Sequence, residues 1–189
     1  MLLATAKPEE IISAAVAAMR QQAARLDFLD DVSAPVYTTD AAGRITYFNR
    51  ACVTFAGRTP VAGEDQWCVT WKLYGEDGSF MPHESCPMAV AISEKRPVRG
   101  ASAVAERPDG SRVAFQPFPT PLLDEQGELI GAINILVDMT DRNQAEHLRA
   151  QAQRCRRLAR SIDDRAATTT LMLLADDYEE KAKSLDRLH

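Results

Sequence analysis

The sequence predicts an α+β fold: a five-stranded antiparallel sheet with short helices on one face, flanked by an N-terminal helix and a C-terminal helical hairpin. Two observations predict this fold. In the middle of the chain, segments rich in β-branched and aromatic residues enclose segments with helical apolar spacing. The last three strand candidates are joined only by tight turns, so they form a meander.

The first predicted element is a helix from Pro8 to about Asp30. Its apolar residues recur at helical spacing, beginning with Ile11, Ile12 and Ala15. A proline at the start suits a helix N-terminus, because its missing N–H would have no partner there. The stripe is rich in alanine, so we expect this helix to need a partner surface.

A β-hairpin follows this helix. The strand candidates are Ala34–Thr39 and Arg44–Phe48, and a glycine-bearing turn joins them. Asn49 then stands at the N-cap position of a short helix that ends near Gly57. The sequence therefore predicts strand, turn, strand and capped helix in close succession.

The centre of the chain is harder to assign, and residues 58–83 receive no element. A helix is predicted over Glu84–Lys95, with Pro87 near its start. The three meander strands are Val98–Glu106, Arg112–Phe118 and Glu128–Val137. The last of these is apolar enough to lie centrally in the sheet.

Two helices are predicted for the end of the chain, the first over Asp141 to about Ile162. The first is basic on its outer face and the second is acidic, which favours an antiparallel hairpin or a subunit contact over nucleic-acid binding. The predicted apolar positions are Leu148, Cys155, Leu158 and Ile162 in the first helix and Leu171, Leu174, Ala175, Tyr178, Ala182 and Leu185 in the second.

Two segments, Pro35–Ala51 and Gly127–Arg142, resemble the PAS domain family. The first resembles the opening hairpin and the Asn that caps the next helix. The second resembles the last strand and the Asp-x-Thr that leads into an output helix. The resemblance covers residues 26–144. It implies an N-terminal flanking helix over residues 1–30, a sensor domain over 31–140 and a helical tail over 141–189, as in bacterial sensory proteins.

The resemblance also implies how such a domain works. PAS domains sense or dimerise, and their pocket lies between the sheet and the short helices. We expect Thr140 to cap the output helix, so that a change in the sheet alters how that helix leaves the domain. The predicted signal-relay residues are Asp138, Thr140 and Asp141.

The identity of a pocket ligand is left open between no cofactor, haem and flavin. Aromatic side chains of the unassigned segment line the pocket or, alternatively, fill the core. His83 is a haem-ligand candidate or a loop histidine, and it forms only one weak pair with Cys86, so no metal is predicted. Asn49 to Cys52 differs from the reactive-cysteine motif of flavin photosensors. The pocket candidates are Trp67, Trp71, Tyr74, His83, Cys86 and Met88, with Phe80 beside them.

Composition and motifs narrow the function classes. A formal net charge of -5 does not suit a general nucleic-acid binder. Neither a secretion signal nor a membrane-length apolar run is present, and four dispersed cysteines suggest reduced thiols, so we expect a cytoplasmic protein. No catalytic motif is found, so we expect no enzyme and no catalytic residues. The predicted partners are a second copy of the chain and a signalling protein.

Overall fold

The computed structural model describes residues 7–20, 26–161 and 165–186. The chain divides into two compact units, one ending at Asp138 and the other beginning at Met139. The first unit carries the sheet, and the second carries two helices. Within the described ranges, no helix combines the length and apolar character needed to cross a bilayer.

Eight strands form one antiparallel sheet in the first unit. The strands are β1 (Val36–Asp40), β2 (Ile45–Phe48), β3 (Lys72–Tyr74), β4 (Phe80–Met81), β5 (Ala103–Glu106), β6 (Arg112–Pro117), β7 (Thr120–Leu123) and β8 (Leu129–Asp138). Their order is β2-β1-β8-β6-β5-β3-β4, and β7 also pairs with β8. The longest strand, β8, therefore lies in the interior of the sheet with neighbours on both sides.

The predicted α+β class is confirmed, and each of the five predicted strands is present. The predicted strand count is wrong, for two physical reasons. The unassigned segment contains a hairpin, β3–β4, whose turn is closed by Asp77 accepting the Ser79 backbone N–H at 3.0 Å. The fourth predicted strand continues as β7 after a break at Phe118 and Pro119.

Three α-helices belong to the described part of the first unit: α1 (Pro8–Arg20), α2 (Arg50–Ala56) and α3 (Pro87–Ser93). The prediction of one helix to about Asp30 is wrong at its end, because Leu26–Asp31 is a 3-10 helix; residues 21–25 lie outside the described residues. The helix predicted from Glu84 begins as α-helix at Pro87, after a 3-10 turn at His83–Ser85.

Strand β8 separates two apolar layers. Successive side chains of a strand point to opposite faces of the sheet. Ala132 and Leu136 therefore enter an inner cluster with side chains of α2 and α3. Ile133 and Ile135 enter an outer cluster with Ile11 and other side chains of α1. The predicted partner surface of the N-terminal helix is thus the outer face of the sheet.

The second unit is an antiparallel hairpin of α4 (Thr140–Ala159) and α5 (Arg165–Asp186). Thr168 Oγ1 donates to the Ala159 carbonyl at 3.4 Å, and Arg156 Nη2 lies 3.2 Å from Asp176 Oδ1, which fixes the direction. The seam between the helices is lined by Ala152, Cys155, Ala159, Leu171, Ala175, Tyr178 and Ala182.

Two of the apolar positions predicted for the tail are exposed, while Leu148 and Leu185 are half-buried. Leu158 is 45% exposed and Leu174 is 39% exposed. Each immediately precedes an alanine that occupies the seam instead, at 159 and 175. The prediction was wrong there because it favoured the larger apolar side chain over its small neighbour. Ile162 lies outside the described residues.

Candidate functional site

A chain of buried and partly buried hydrogen bonds crosses the inner face of the sheet. The Phe118 backbone N–H donates to Asn134 Oδ1 at 2.9 Å. Asn134 Nδ2 donates to the Tyr37 hydroxyl at 3.0 Å, and that hydroxyl donates to the Trp67 carbonyl at 3.0 Å. Tyr37 and Asn134 are also directly opposite each other on β1 and β8. These hydrogen bonds therefore link the break between β6 and β7, through β8 and β1, to the loop that precedes β3.

Tyr37 is held in its neutral form. Burial raises the pKa of its hydroxyl well above the ordinary value, and the nearby thiols of Cys68 and Cys86 raise it further. The phenol therefore remains a hydrogen-bond donor at physiological pH. A neutral donor suits a fixed polar chain inside an apolar layer, where a charge would be strongly disfavoured.

Thr39 adds a second polar group to the same face. It lies two residues after Tyr37 on β1, so its side chain points to the same side of the sheet. Its hydroxyl is buried and has no hydrogen-bonding partner among the described residues. Such a group is a candidate contact for a bound polar molecule, since buried polar atoms are normally paired.

Three of the predicted pocket residues contact the inner cluster. Cys86 and Met88 are buried within it, and Trp67 packs against its edge. Trp67 adopts a left-handed backbone conformation with φ of 69°. Its ring covers Gly43 so closely that a Cβ there would lie 2.2 Å from two ring carbons. Trp67 thus closes the β1–β2 turn and supplies the carbonyl that ends the hydrogen-bond chain.

The other aromatic candidates lie outside this cluster. Trp71 is 45% exposed, with Lys72 Nζ 4.3 Å from its ring centroid. Tyr74 packs edge-to-face against Phe80 at 5.9 Å, and the Arg112 guanidinium lies 4.2 Å from the Tyr74 centroid. The structure does not bring these rings together with Trp67, Cys86 and Met88.

His83 is half-buried at the edge of the inner layer. Its Nε2 atom lies 3.5 Å from the Thr70 hydroxyl, which donates to the Cys68 sulfur at 3.2 Å. Burial, with a contribution from Arg58, lowers the pKa of the imidazole below its usual value. It is therefore neutral at physiological pH. Among the described residues, no three or more His, Cys, Asp or Glu side chains are grouped to hold a metal ion.

The thiols of Cys52 and Cys86 are held protonated. Burial raises the pKa of Cys86 to about 12, and it raises that of Cys52 far above the ordinary value. The Cys52 thiol also donates to the Val36 carbonyl at 3.2 Å. Because thiolates are the reactive form, Cys52 does not fit the reactive cysteine of a flavin photosensor.

Asn49 does more than the predicted cap. Its Oδ1 accepts the Cys52 backbone N–H at 3.2 Å, which confirms the N-cap. The same oxygen accepts the Val36 backbone N–H at 3.0 Å. The two N–H groups of its Nδ2 are shared among three carbonyls, those of Leu29, Val32 and Ala34, at 2.9–3.2 Å. This one side chain therefore joins the 3-10 helix, β1 and α2.

The segment between sheet and tail contains the predicted relay residues. Asp138 ends β8, and Thr140 is the first residue of α4. The prediction that Thr140 caps this helix is wrong: Met139 holds the N-cap position, with φ of -111° and ψ of 6°, and no side-chain capping bond is made. Asp141 lies in α4, and its side chain is outside the described residues. A single residue therefore separates strand from helix.

Tyr37 and Asn134 were not among the predicted site residues. Asn134 is the lone amide within the apolar run of the last strand, and that signal was available. An amide in a buried strand requires hydrogen-bonding partners, so it predicts a polar partner on the neighbouring strand. The partner's identity needed the strand register, which places Tyr37 opposite.

Comparison with known proteins gives a family match. A model of the PAS fold family matches residues 29–144, which is more than half of the chain. This match contains the whole sheet, the hydrogen-bond chain and the first residues of α4. No curated protein matches the chain.

Solved structures of low identity resemble the chain. The PAS domain of the fruit-fly ELK potassium channel is 15% identical, with a TM-score of 0.47, covering 60% of this chain and 93% of that one. The light-state dimer of the fungal blue-light photoreceptor Vivid is 20% identical (TM-score 0.43), covering 57% and 78%. The LOV domain of the Erythrobacter litoralis EL346 blue-light activated histidine kinase is 20% identical (TM-score 0.41), covering 56% and 95%.

Proposed function

This chain belongs to the PAS fold family, and we propose that it is a sensory signal-transduction module that relays a signal by protein–protein contact through its flanking helices. One observation carries the proposal: β8, an interior strand of the sheet, is separated from α4 by Met139 alone. With so short a connection, a displacement of β8 changes the start of the helix, because a single residue can absorb little of it.

The buried hydrogen-bond chain supplies the input side of this relay. Asn134 lies on β8 and bonds both Phe118 and Tyr37, on either side of that strand. A change in the inner layer that disturbs Tyr37 therefore acts directly on β8. The proposed relay runs from the inner layer through Asn134 to Asp138, and then to Thr140 and Asp141 at the start of the helix.

The proposed output is contact with other proteins. We propose a homodimer formed through flanking helices and a separate signalling partner, with no catalytic step in this chain. The acidic net charge of -5 favours a protein partner over nucleic acid. The four cysteines are free thiols, which supports a location in the reducing cytoplasm.

Hydrogen exchange tests the relay within the isolated chain. Asn134→Leu replaces the amide with an apolar side chain that suits the buried strand and removes both hydrogen bonds, so amides in the first turns of α4 should change their exchange rate severalfold. Gln116→Leu is the matched control, because Gln116 lies on the neighbouring β6 opposite Val137. Hydrogen exchange is measured for both variants under conditions in which they remain folded. Unchanged α4 exchange in Asn134→Leu would contradict the relay.

A second candidate function is a small-molecule sensor, with haem or flavin among the ligands. The observation that favours it is the buried, unpartnered hydroxyl of Thr39 on the inner face. Freshly purified protein should then show a bound mass in native mass spectrometry, with visible absorbance if the ligand is haem or flavin. Thr39→Val should weaken retention of that mass. A colourless protein at the mass of the bare chain would reject this function.

A further inference from the structure

The two faces of the C-terminal hairpin carry different side chains. Arg156 and Asp176 each directly follow a seam residue, Cys155 and Ala175, and they meet on one face at 3.2 Å. Glu179 joins them through a second ion pair with Arg156. Residues that follow the seam in both helices therefore share this ion-paired face.

Residues that precede the seam lie on the other face. Each residue of an α-helix turns about 100° from the last, so the neighbours before and after a seam residue lie on opposite sides of it. Leu158 precedes Ala159, and Leu174 precedes Ala175. By the same rule Arg154 and Asp177 lie beside them, since they precede the seam residues Cys155 and Tyr178. We name Arg154, Leu158, Leu174 and Asp177 the apolar face.

We propose that the apolar face packs against the apolar face of a second copy of the chain, so that two hairpins form a four-helix bundle. This inference rests on the proposed function, in which the chain dimerises through flanking helices, and it names the surface that does so. The occupant is a second copy, in an arrangement that places α4 of one chain over α5 of the other.

Packing within the hairpin leaves Leu158 and Leu174 largely uncovered. Its buried residues are mostly alanine, as at 152, 159, 175 and 182, with Cys155 beside them. Leu158 and Leu174 keep 45% and 39% of their surface exposed. Because the hydrophobic driving force scales with the apolar area removed from water, covering these leucines favours association.

Charge selects the second copy and its orientation. On the apolar face α4 presents Arg154 and α5 presents Asp177, both exposed. A two-fold axis parallel to the helices places α4 over α5 of the other copy, and therefore Arg154 near Asp177. Stacking α4 on α4 would instead oppose two arginines. Lys181 Nζ also donates to Asp177 Oδ2 at 2.7 Å, and a carboxylate can accept from both cations.

The contribution of the two leucines is tested by measuring dimerisation of the full chain in sedimentation equilibrium. Leu174→Asp and Leu158→Asp should each raise the dimer dissociation constant at least about tenfold, since each buries a charge in the interface. Leu173→Asp is the matched control. Leu173 is 66% exposed and lies about 200° from Ala175, on the side of α5 away from α4. It should change the constant less than about twofold, and circular dichroism checks that helicity is kept.

The electrostatic part is tested by charge reversal. Arg154→Glu and Asp177→Arg should each weaken the dimer about fivefold at low salt, and the double variant should return to within about twofold of the parent. Arg157→Glu, an exposed position of α4 two residues after Cys155, is the control and should have little effect.

A parent chain that stays monomeric at high micromolar concentration would overturn the proposal. Equal effects of Leu173→Asp and Leu174→Asp on the dissociation constant would also overturn it. So would a double charge variant whose dimer is no stronger than the dimers of the single variants. A dimer that persists in the Leu158 and Leu174 variants would place the interface elsewhere, while the relay from β8 to α4 would stand. Unchanged α4 exchange in Asn134→Leu would remove the relay, whatever the dimer surface.

Discussion

At the scale of single residues, the Asn49 side-chain amide joins three neighbouring elements, the 3-10 helix, β1 and α2. A simple N-cap needs only an oxygen that accepts a helix N–H. The Asn49 oxygen accepts two N–H groups, and the two hydrogens on its nitrogen are shared among three carbonyls, while the side chain is fully buried. An aspartate could supply the first function but not the second, because an ionised carboxylate donates no hydrogen bond.

We therefore predict that Asn49→Asp destabilises the protein at least as much as Asn49→Ala. Each should lower the free energy of unfolding by about 3 kcal/mol, since leaving buried partners unsatisfied costs about 1–3 kcal/mol per group. Urea denaturation measures both. If Asn49→Asp were as stable as the parent, the side chain would be acting as a helix cap alone.

The buried Cys86 thiol predicts a loss of stability at alkaline pH. Its pKa is raised from 9.0 to about 12, so the unfolded chain releases this proton first as the pH rises. The stabilisation is complete below pH 9 and is lost between there and about 12. From pH 8 to pH 10, ionisation of this thiol in the unfolded chain should lower the free energy of unfolding by about 1 kcal/mol.

Cys86→Ala isolates this contribution. From pH 8 to pH 10, the free energy of unfolding of the variant should fall by about 1 kcal/mol less than that of the parent, because only the parent carries that thiol. Urea unfolding at both pH values gives the comparison, and other titrating groups cancel. Equal losses in both proteins would mean that the thiol is not desolvated in the folded state.

At the scale of elements, two β-turns repeat the same local device. Asp40 Oδ1 accepts the backbone N–H groups of Ala42 and Arg44, and the turn contains Gly43 with φ of 80°. Asp124 Oδ1 does the same for the N–H groups two and four residues on, and Gly127 has φ of 81°. The two turns differ in their surroundings, because only Gly43 is covered by the Trp67 ring.

This pair of turns allows a matched prediction. Gly127→Ala should cost about 1–2 kcal/mol, the usual penalty for a left-handed backbone in a residue with a Cβ. Gly43→Ala should cost at least twice as much, because its Cβ would also lie 2.2 Å from Trp67 ring carbons. Thermal or urea unfolding measures both. Adding Trp67→Ala to each should bring the two penalties together, and a persistent difference would reject the ring contact.

The elements also show where sequence patterns suffice. The capped α2 helix was predictable because Asn49 and Gly57 supply both of its ends locally. The β3–β4 hairpin was not, because its strands are only three and two residues long and offer too little alternation. In the tail, the position of the seam depends on which helix face packs. The prediction placed the leucines at 158 and 174 in it, whereas the buried positions are the alanines that follow them.

At the scale of the whole molecule, the antiparallel sheet could be derived from the sequence, but the site only in part. Cys86 and Met88, which were named as pocket candidates, lie in the inner cluster, where they precede and begin an apolar helix. Trp71 and Tyr74 were grouped with them by size, yet strand alternation in β3 puts Leu73 inside and Tyr74 outside, and Trp71, which precedes the strand, is exposed. The hydrogen-bond chain joins residues 97 positions apart, which no local pattern could reveal.

The most direct test of the central claim, that β8 drives α4, is an insertion that breaks their connection. Inserting Gly-Gly-Ser between Met139 and Thr140 leaves both elements intact but lengthens the one-residue connection between them and makes it flexible. Hydrogen exchange of α4 is then compared with and without Asn134→Leu. We predict that the substitution changes α4 exchange in the parent and has no effect in the inserted chain. An α4 response of equal size in both chains would contradict the claim.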